Sequence, residues 1–297
     1  SLYSCGTKGA LIMKILFTSD LHGLKNLYEE LFELIRTSRP DAVFLGGDLF
    51  PNEGPLEESM EEQRLFIENF FRPRLSESRL ESPSTEWFAM LGNEDWHYHI
   101  ARLQEMEYRG LLRLLHNRKH LLKNGFEVIG YCHVPPTPFS NKDGERIDQA
   151  GVPGEPQRSS PFLSTKGGLR DIRRDSYFRA QPTLEEEIAS LPRPAFPERT
   201  IYVFHTPPFE TSLDVLHDGR HAGSRAVTRF IREKQPFLTL HGHIHESPGM
   251  TGRFTDRIGK TLCINPGHGR ERLHGVFLEW EGNRLEVRHT VLEEPFV

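Results

Sequence analysis

Only three cysteines occur in 297 residues, and Cys5, Cys132 and Cys263 are too few and too scattered for a disulfide framework. A reducing, cytoplasmic setting suits such a chain. No run approaches the roughly eighteen uninterrupted apolar residues a membrane helix needs, so no membrane span is expected. An excess of positive charge is missing too. Against 37 Lys and Arg stand 42 Asp and Glu, a formal charge of -5, which argues against a protein built to coat nucleic acid. A small anionic substrate remains compatible, because bound cations invert a local field. The segment Ser1 to Ile12 has one lysine and lacks the apolar core and cleavage site of a secretory signal. The chain does not begin with methionine, and Met13 directly precedes the first strand-like run. Residues 1–12 are therefore expected to be a leader or an expression remnant.

The composition, 27% charged and 36% hydrophobic, is that of a globular chain with enough length for a sizeable core. Lys14 to Ser19, Ala42 to Leu45, Trp87 to Leu91, Thr200 to Phe204 and Phe237 to Leu240 read as short buried strands. Between them, Leu24, Leu27, Leu31, Leu34 and Ile35 mark a helix, as do residues 56–72, 100–117 and 224–234. Asn124-Gly125 signals a hairpin, and Glu281-Gly282-Asn283 joins two closing strands. Alternating strands and helices predict a layered α/β fold with a mostly parallel sheet, whose ligands bind where strands end. No repeat or domain boundary is evident. Residues 13–297 are read as one domain with a loop insertion at about 134–197, helical only near Leu184 to Leu191. Arg158, Lys166, Arg170, Arg173, Arg174 and Arg179 make that insertion locally basic. They suit a solvated loop face better than a lid.

Five clusters at the ends of strand-like segments carry metal-ligating side chains: Asp20-Leu21-His22, Gly47-Asp48, Gly92-Asn93-Glu94-Asp95, His205, and Gly242-His243-Ile244-His245. Their imidazole and carboxylate mixture suits zinc, iron, manganese, nickel or cobalt rather than calcium. An extended backbone puts both side chains of Asp20-x-His22, and both of His243-x-His245, on one side.

The order D-x-H, G-D, G-N, H, G-H-x-H resembles the calcineurin-like metallophosphoesterase superfamily from about Lys14 to Val291. Asn265-Pro266-Gly267 is similar to a segment of its smaller bacterial and archaeal members, and Pro135-Pro136-Thr137-Pro138-Phe139 to a subgroup of predicted phosphoesterases. The resemblance implies a four-layer α/β/β/α sandwich with a dinuclear metal site at its strand ends. It implies Asp20, His22 and His245 as ligands of one divalent ion, and Asn93, His205 and His243 of another. Asp48 would bridge them, and a hydroxide between the ions, manganese foremost, would attack a phosphate ester, diester ahead of monoester. Asp48, Asn93 and His243 are thereby the expected catalytic residues.

One position departs from the pattern. The family's histidine after asparagine is here Glu94, which offers no cationic imidazole. Glu94, His97 and His217 are the candidate substrate contacts, with His221 a further source of a replacement acid. The departure also admits a second class of function, a metal-binding interaction scaffold without catalysis. A nuclease is a third reading, disfavoured by the acidic balance.

Overall fold

A computed structural model describes residues 12–281 and 284–292. Cys5 and the rest of residues 1–11, Gly282, Asn283 and residues 293–297 lie outside the described residues. Four parallel strands come first, β1 (Ile12–Thr18), β2 (Ala42–Leu45), β3 (Glu86–Ala89) and β4 (Arg113–Leu114). Helices α1 (Lys25–Ser38), α2 (Leu56–Phe66), α3 (Arg72–Glu81) and α4 (Ile100–Tyr108) connect them. After β5 (Lys119–Leu121) and β6 (Glu127–Tyr131), the long insertion holds β7 (Phe162–Thr165), β8 (Gly168–Asp171), α5 (Arg174–Arg179) and α6 (Leu184–Ala189). Then follow β9 (Thr200–Phe204), α7 (Arg225–Lys234), β10 (Leu238–Leu240) and α8 (Ser247–Thr251). The last strands are β11 (Thr255–Ile258), β12 (Thr261–Ile264), β13 (Gly275–Glu281) and β14 (Arg284–His289).

Twelve of these strands form two six-stranded sheets, ordered β14-β13-β1-β2-β3-β4 and β11-β12-β10-β9-β6-β5, and β7 and β8 pair by themselves. The period-2 alternation of side chains explains why two sheets stack. Ile15, Phe17, Ala42 and Phe44 point into the core shared with Val128, Ile201, Val203, Leu238 and Leu240 of the other sheet. Their neighbours Leu16, Val43 and Leu45 point outward, under Leu27, Leu31 and Ile35 of α1 and Leu103 of α4. On the far side Tyr202 and Phe204 lie under Leu184 and Ile188 of α6 and Val227 and Ile231 of α7. Strands buried on both faces read as continuous apolar runs, and each fully buried large side chain stabilises by about 1.5–3 kcal/mol. The layering is α/β/β/α, as the motif pattern implies.

Several element limits differ from the sequence reading. The helix begun at Leu56 does not stop at 72. A π turn (Ile67–Phe71) interrupts it, and α3 runs on to Glu81. Pro73 supplies the reason, since it has no N–H for the Asn69 carbonyl and its ring crowds that oxygen. The helix expected over 100–117 ends at Tyr108, and Gly110 follows with φ +72°. The insertion is more structured than expected, with the β7–β8 hairpin and α5 besides α6, whose Thr183 and Glu186 form a capping box. Of the six basic residues between 158 and 179, all but the half-buried Arg174 are exposed, as a solvated face requires. Lys142 and Arg146, earlier in the insertion, are instead buried and half-buried in ion pairs with Glu145 and Glu187.

Candidate metal centre

Asp20 and His22 follow β1, Asp48 follows β2 and Asn93 follows β3; His205 follows β9, and His243 and His245 follow β10. The cluster therefore spans the seam between the carboxyl edges of two sheets. Backbone bonds set the loops. Asp20 N–H donates to Gly47 O at 2.9 Å, His22 N–H to Asp48 O at 2.9 Å, and Gly242 N–H to His205 O at 2.9 Å. Two bonds cross between sheets: His205 Nδ1 donates to Gly46 O at 2.8 Å, and His243 N–H to Asp20 Oδ1 at 3.0 Å.

Among the described residues, four of the eight non-glycine residues with positive φ are expected ligands, Asp20 (57°), His22 (45°), Asp48 (52°) and His243 (63°). Two of the others, Arg39 and Gln235, merely end α1 and α7. Left-handed backbone at such residues costs about 1–3 kcal/mol each and is held by the surrounding structure. The paired glycines have their own reason. A Cβ at Gly92 would stand 2.1 Å from Asp48 Oδ1, and one at Gly242 2.4 Å from Asp20 Oδ2.

Two donor triplets share Asp48. In Asp20, His22 and Asp48, and again in Asp48, His205 and His243, one ligand atom per residue lies within 4.8 Å of the others. Asn93 Oδ1 is 3.2 Å from His205 Nε2, and the His245 ring centroid is 5.4 Å from that of His22. All seven residues thus converge.

Burial drives the electrostatics. It pushes His22 down to about 4, His243 to about 3 and His245 to about 4, leaving neutral imidazoles with lone pairs to offer. Burial also raises Glu94 to about 8 and Asp95 to about 7, both reinforced by the Asp48 charge. It raises Asp20 to about 7, with His205 opposing and Asp48 adding. Asp48 itself is held low despite its burial, because His205 and His22 face it. Packed carboxyl groups with so little counter-charge call for a cation.

The donors fit one. Both ring nitrogens of His22 are buried without a hydrogen-bond partner, a state that costs about 1–3 kcal/mol per polar atom unless something coordinates them. The Gly46 carbonyl fixes Nδ1 of His205, turning Nε2 toward Asp48 and Asn93, as an orienting hydrogen bond does for metal-bound histidine.

The sequence model of calcineurin-like phosphoesterases matches residues 13–247, most of the chain. The chain belongs to the calcineurin-like phosphoesterase family. It is accordingly a metal-dependent phosphoesterase that binds divalent metals and acts on a small-molecule phosphoester. Solved structures share the fold. TT1561 of Thermus thermophilus has a TM-score of 0.52 at 20% identity, covering 94% of this chain and 99% of that one. GAP50, the anchor in the inner membrane complex of Plasmodium, has 0.51 at 12%, covering 94% and 84%. A dimetal phosphatase from Danio rerio has 0.50 at 10%, covering 93% and 95%. No curated protein sequence matches the chain. Among the described residues no helix is long and apolar enough to cross a membrane.

The phosphoesterase places its expected substrate residues unevenly. Glu94 is half-buried beside Asp48, donates its N–H to Asp48 Oδ1 at 2.8 Å and accepts from Asn52. His97 is half-buried, with Nε2 3.1 Å from Gly92 O. His217 is exposed on a turn, although its charge is felt at His245. His221 faces Asp214 at 2.7 Å. His241 is fully buried, with Nδ1 on Thr206 O at 3.0 Å and Nε2 on Thr239 Oγ1 at 2.8 Å, a supporting position.

Two residues of the centre, His268 and Asn52, escaped the sequence reading, and Asn265 was noted there without a role. His268 packs its ring 5.5 Å from His22 and 5.3 Å from His245. Its only sequence signal is the preceding Asn265-Pro266-Gly267. Asn265 Nδ2 donates to Ile244 O at 3.0 Å, which pins the His243–His245 loop. Asn52 carried no signal at all. Beside His22 opens a cleft of about 470 Å³ whose lining includes Leu24, Lys25, Asn52, Phe66 and Phe70.

Proposed function

We propose that this phosphoesterase hydrolyses phosphodiesters in preference to monoesters, using two divalent ions held by Asp20, His22 and His245 and by Asn93, His205 and His243, with Asp48 shared. The single observation that supports this most is His22, whose buried, unpartnered nitrogens sit amid the converging donors. When bound, the two cations supply Lewis acidity, acidifying the attacking water and offsetting charge on the phosphoryl oxygens.

The chain's own residues hold that arrangement. Gly46 fixes the His205 ring and the Glu94 N–H fixes Asp48. Glu94 also supports the diester preference. No cationic imidazole stands at this position to meet a second phosphate charge, and a monoester carries about -1.5 to -2 near pH 7 where a diester carries one. The cleft beside His22, with Lys25 5.4 Å from the Phe70 ring centroid, suits the organic group of the ester.

Manganese is the proposed ion, matching the mixed carboxylate, amide and imidazole donors, with iron, zinc, nickel and cobalt as competitors. The free thiols Cys132 and Cys263 support a reducing, cytoplasmic location. Comparing kcat/KM for bis-p-nitrophenyl phosphate and p-nitrophenyl phosphate tests the preference. The diester is expected to lead by about tenfold, the effect of ~1.4 kcal/mol for a second phosphate charge left without a cationic partner. Glu94→His should narrow the gap, and a monoester lead in the parent would refute the preference. The scaffold reading rests on Glu94 alone and predicts bound metal with no turnover of any ester.

A further inference from the structure

A second group of ligand atoms lies along the same crest. We propose that His97, Cys132 and His133 form a separate zinc-binding site beside the dimetal cluster. One ring nitrogen of each histidine and the Cys132 thiol sulfur all lie within 4.8 Å of one another. Donors around a four-coordinate zinc stand about 3.3–3.8 Å apart, so an inward shift of about 1 Å closes the site.

The fold places the three residues from two directions. Tyr131 ends β6 opposite Phe204 of β9, so Cys132 stands level with His205 on the neighbouring strand. His97 arrives from the loop after β3, four positions past Asn93, where its backbone N–H donates to Asp143 Oδ2 at 3.0 Å. Gly144 separates the two centres. A Cβ there would stand 2.9 Å from Asn93 Cα and 3.1 Å from His97 Nε2.

Both histidines are oriented with one nitrogen left over. Glu187 accepts from His133 Nδ1 at 2.7 Å, and is itself fixed by Tyr131 Oη at 2.6 Å and Arg146 Nε at 3.1 Å. A carboxylate behind a histidine in this way sets the tautomer that presents Nε2 to a metal. His97 donates Nε2 to Gly92 O at 3.1 Å, which leaves Nδ1 as its lone pair. Burial keeps both rings neutral, His133 down at about 4. Cys132 is 2% exposed and unpaired, and burial holds it as a thiol until a cation displaces its proton.

The donor types decide the metal. One thiolate and two imidazoles select zinc over manganese, whereas the dimetal cluster contains no sulfur. Three protein donors leave a fourth position for water or a substrate oxygen.

That contrast supplies the test. The full-length protein is stripped, reloaded with zinc, and measured for metal content and X-ray absorption at the zinc edge. The expected result is a sulfur shell at about 2.3 Å in the parent, with both that shell and one zinc per chain lost in Cys132→Ser. His97→Ala should lose the same equivalent. Because the dimetal donors carry no sulfur, the shell reports on this site even if the two-metal reading fails. The parent spectrum decides the matter should either variant fail to fold. A parent without zinc–sulfur scattering, or a shell that persists in Cys132→Ser, overturns the proposal.

Discussion

His205 turns Nε2 to within 3.2 Å of Asp48 Oδ2, while its Nδ1 donates to the Gly46 carbonyl. Burial opposes a charged ring here, but the Asp48 carboxylate outweighs it and raises His205 to about 9 in the metal-free protein. A cation entering between the two must displace that proton. Below about pH 9 the affinity of this position should rise about tenfold per pH unit, then level off. Calorimetric titration with manganese, in buffers of different ionisation enthalpy near pH 7, should show about one proton released at this position. Heats independent of the buffer would contradict it.

Gly92 is fixed by contact rather than by backbone freedom. Gly92→Ala puts a methyl group onto Asp48, with an expected loss of about 1–3 kcal/mol and of bound metal. Gly249, in α8, has open space around its Cα, and Gly249→Ala should stabilise by up to about 1 kcal/mol. Urea unfolding and metal analysis of both variants separate the cases. Equal effects would show that the Gly92 contact is not what the site depends on.

Asp95 holds two motif loops together. Its carboxyl accepts from Leu49 N–H at 3.0 Å, Phe50 N–H at 2.9 Å and Gly92 N–H at 2.8 Å. Asp95→Ala leaves these buried donors unpaired and should cost about 3 kcal/mol or more. Urea unfolding reads the loss, and a change under about 0.5 kcal/mol would discount the clamp.

Acid should loosen the C-terminal edge through His289. Its Nε2 donates to Pro266 O at 2.8 Å, while Nδ1 accepts from Val291 N–H at 3.0 Å and Leu292 N–H at 2.8 Å. Burial lowers it from 6.5 to about 4, so its contribution is present above pH 6.5 and lost as pH falls toward 4. Between about pH 7 and 4 the parent should lose about 3 kcal/mol more than His289→Gln. Parallel acid limbs in the two proteins would contradict the assignment.

The strands and the ligand clusters were legible in the sequence for one shared reason. Residues such as Phe17, Phe44 and Val203 lie in sheets buried on both faces, so their apolar runs stand out and the polar ligands mark where they stop. Features decided by a single backbone event were harder to place. A π turn before Pro73 interrupts one helix without ending it, and the α4 helix stops at Tyr108, before Gly110. The short β7–β8 hairpin and α5 are too polar to show a period. His268 and Asn52 reach the centre through loop packing, and no spacing to Asp20 or Asp48 announces it.

Metal-stripped protein reloaded with manganese, assayed on bis-p-nitrophenyl phosphate beside Asp48→Ala, tests the shared-aspartate, two-metal chemistry most directly. The predicted result is turnover by a parent holding two manganese ions, and a fall of about 10³ or more in the variant with less metal bound. Retained turnover in Asp48→Ala, or a metal-loaded parent that hydrolyses nothing, would contradict it.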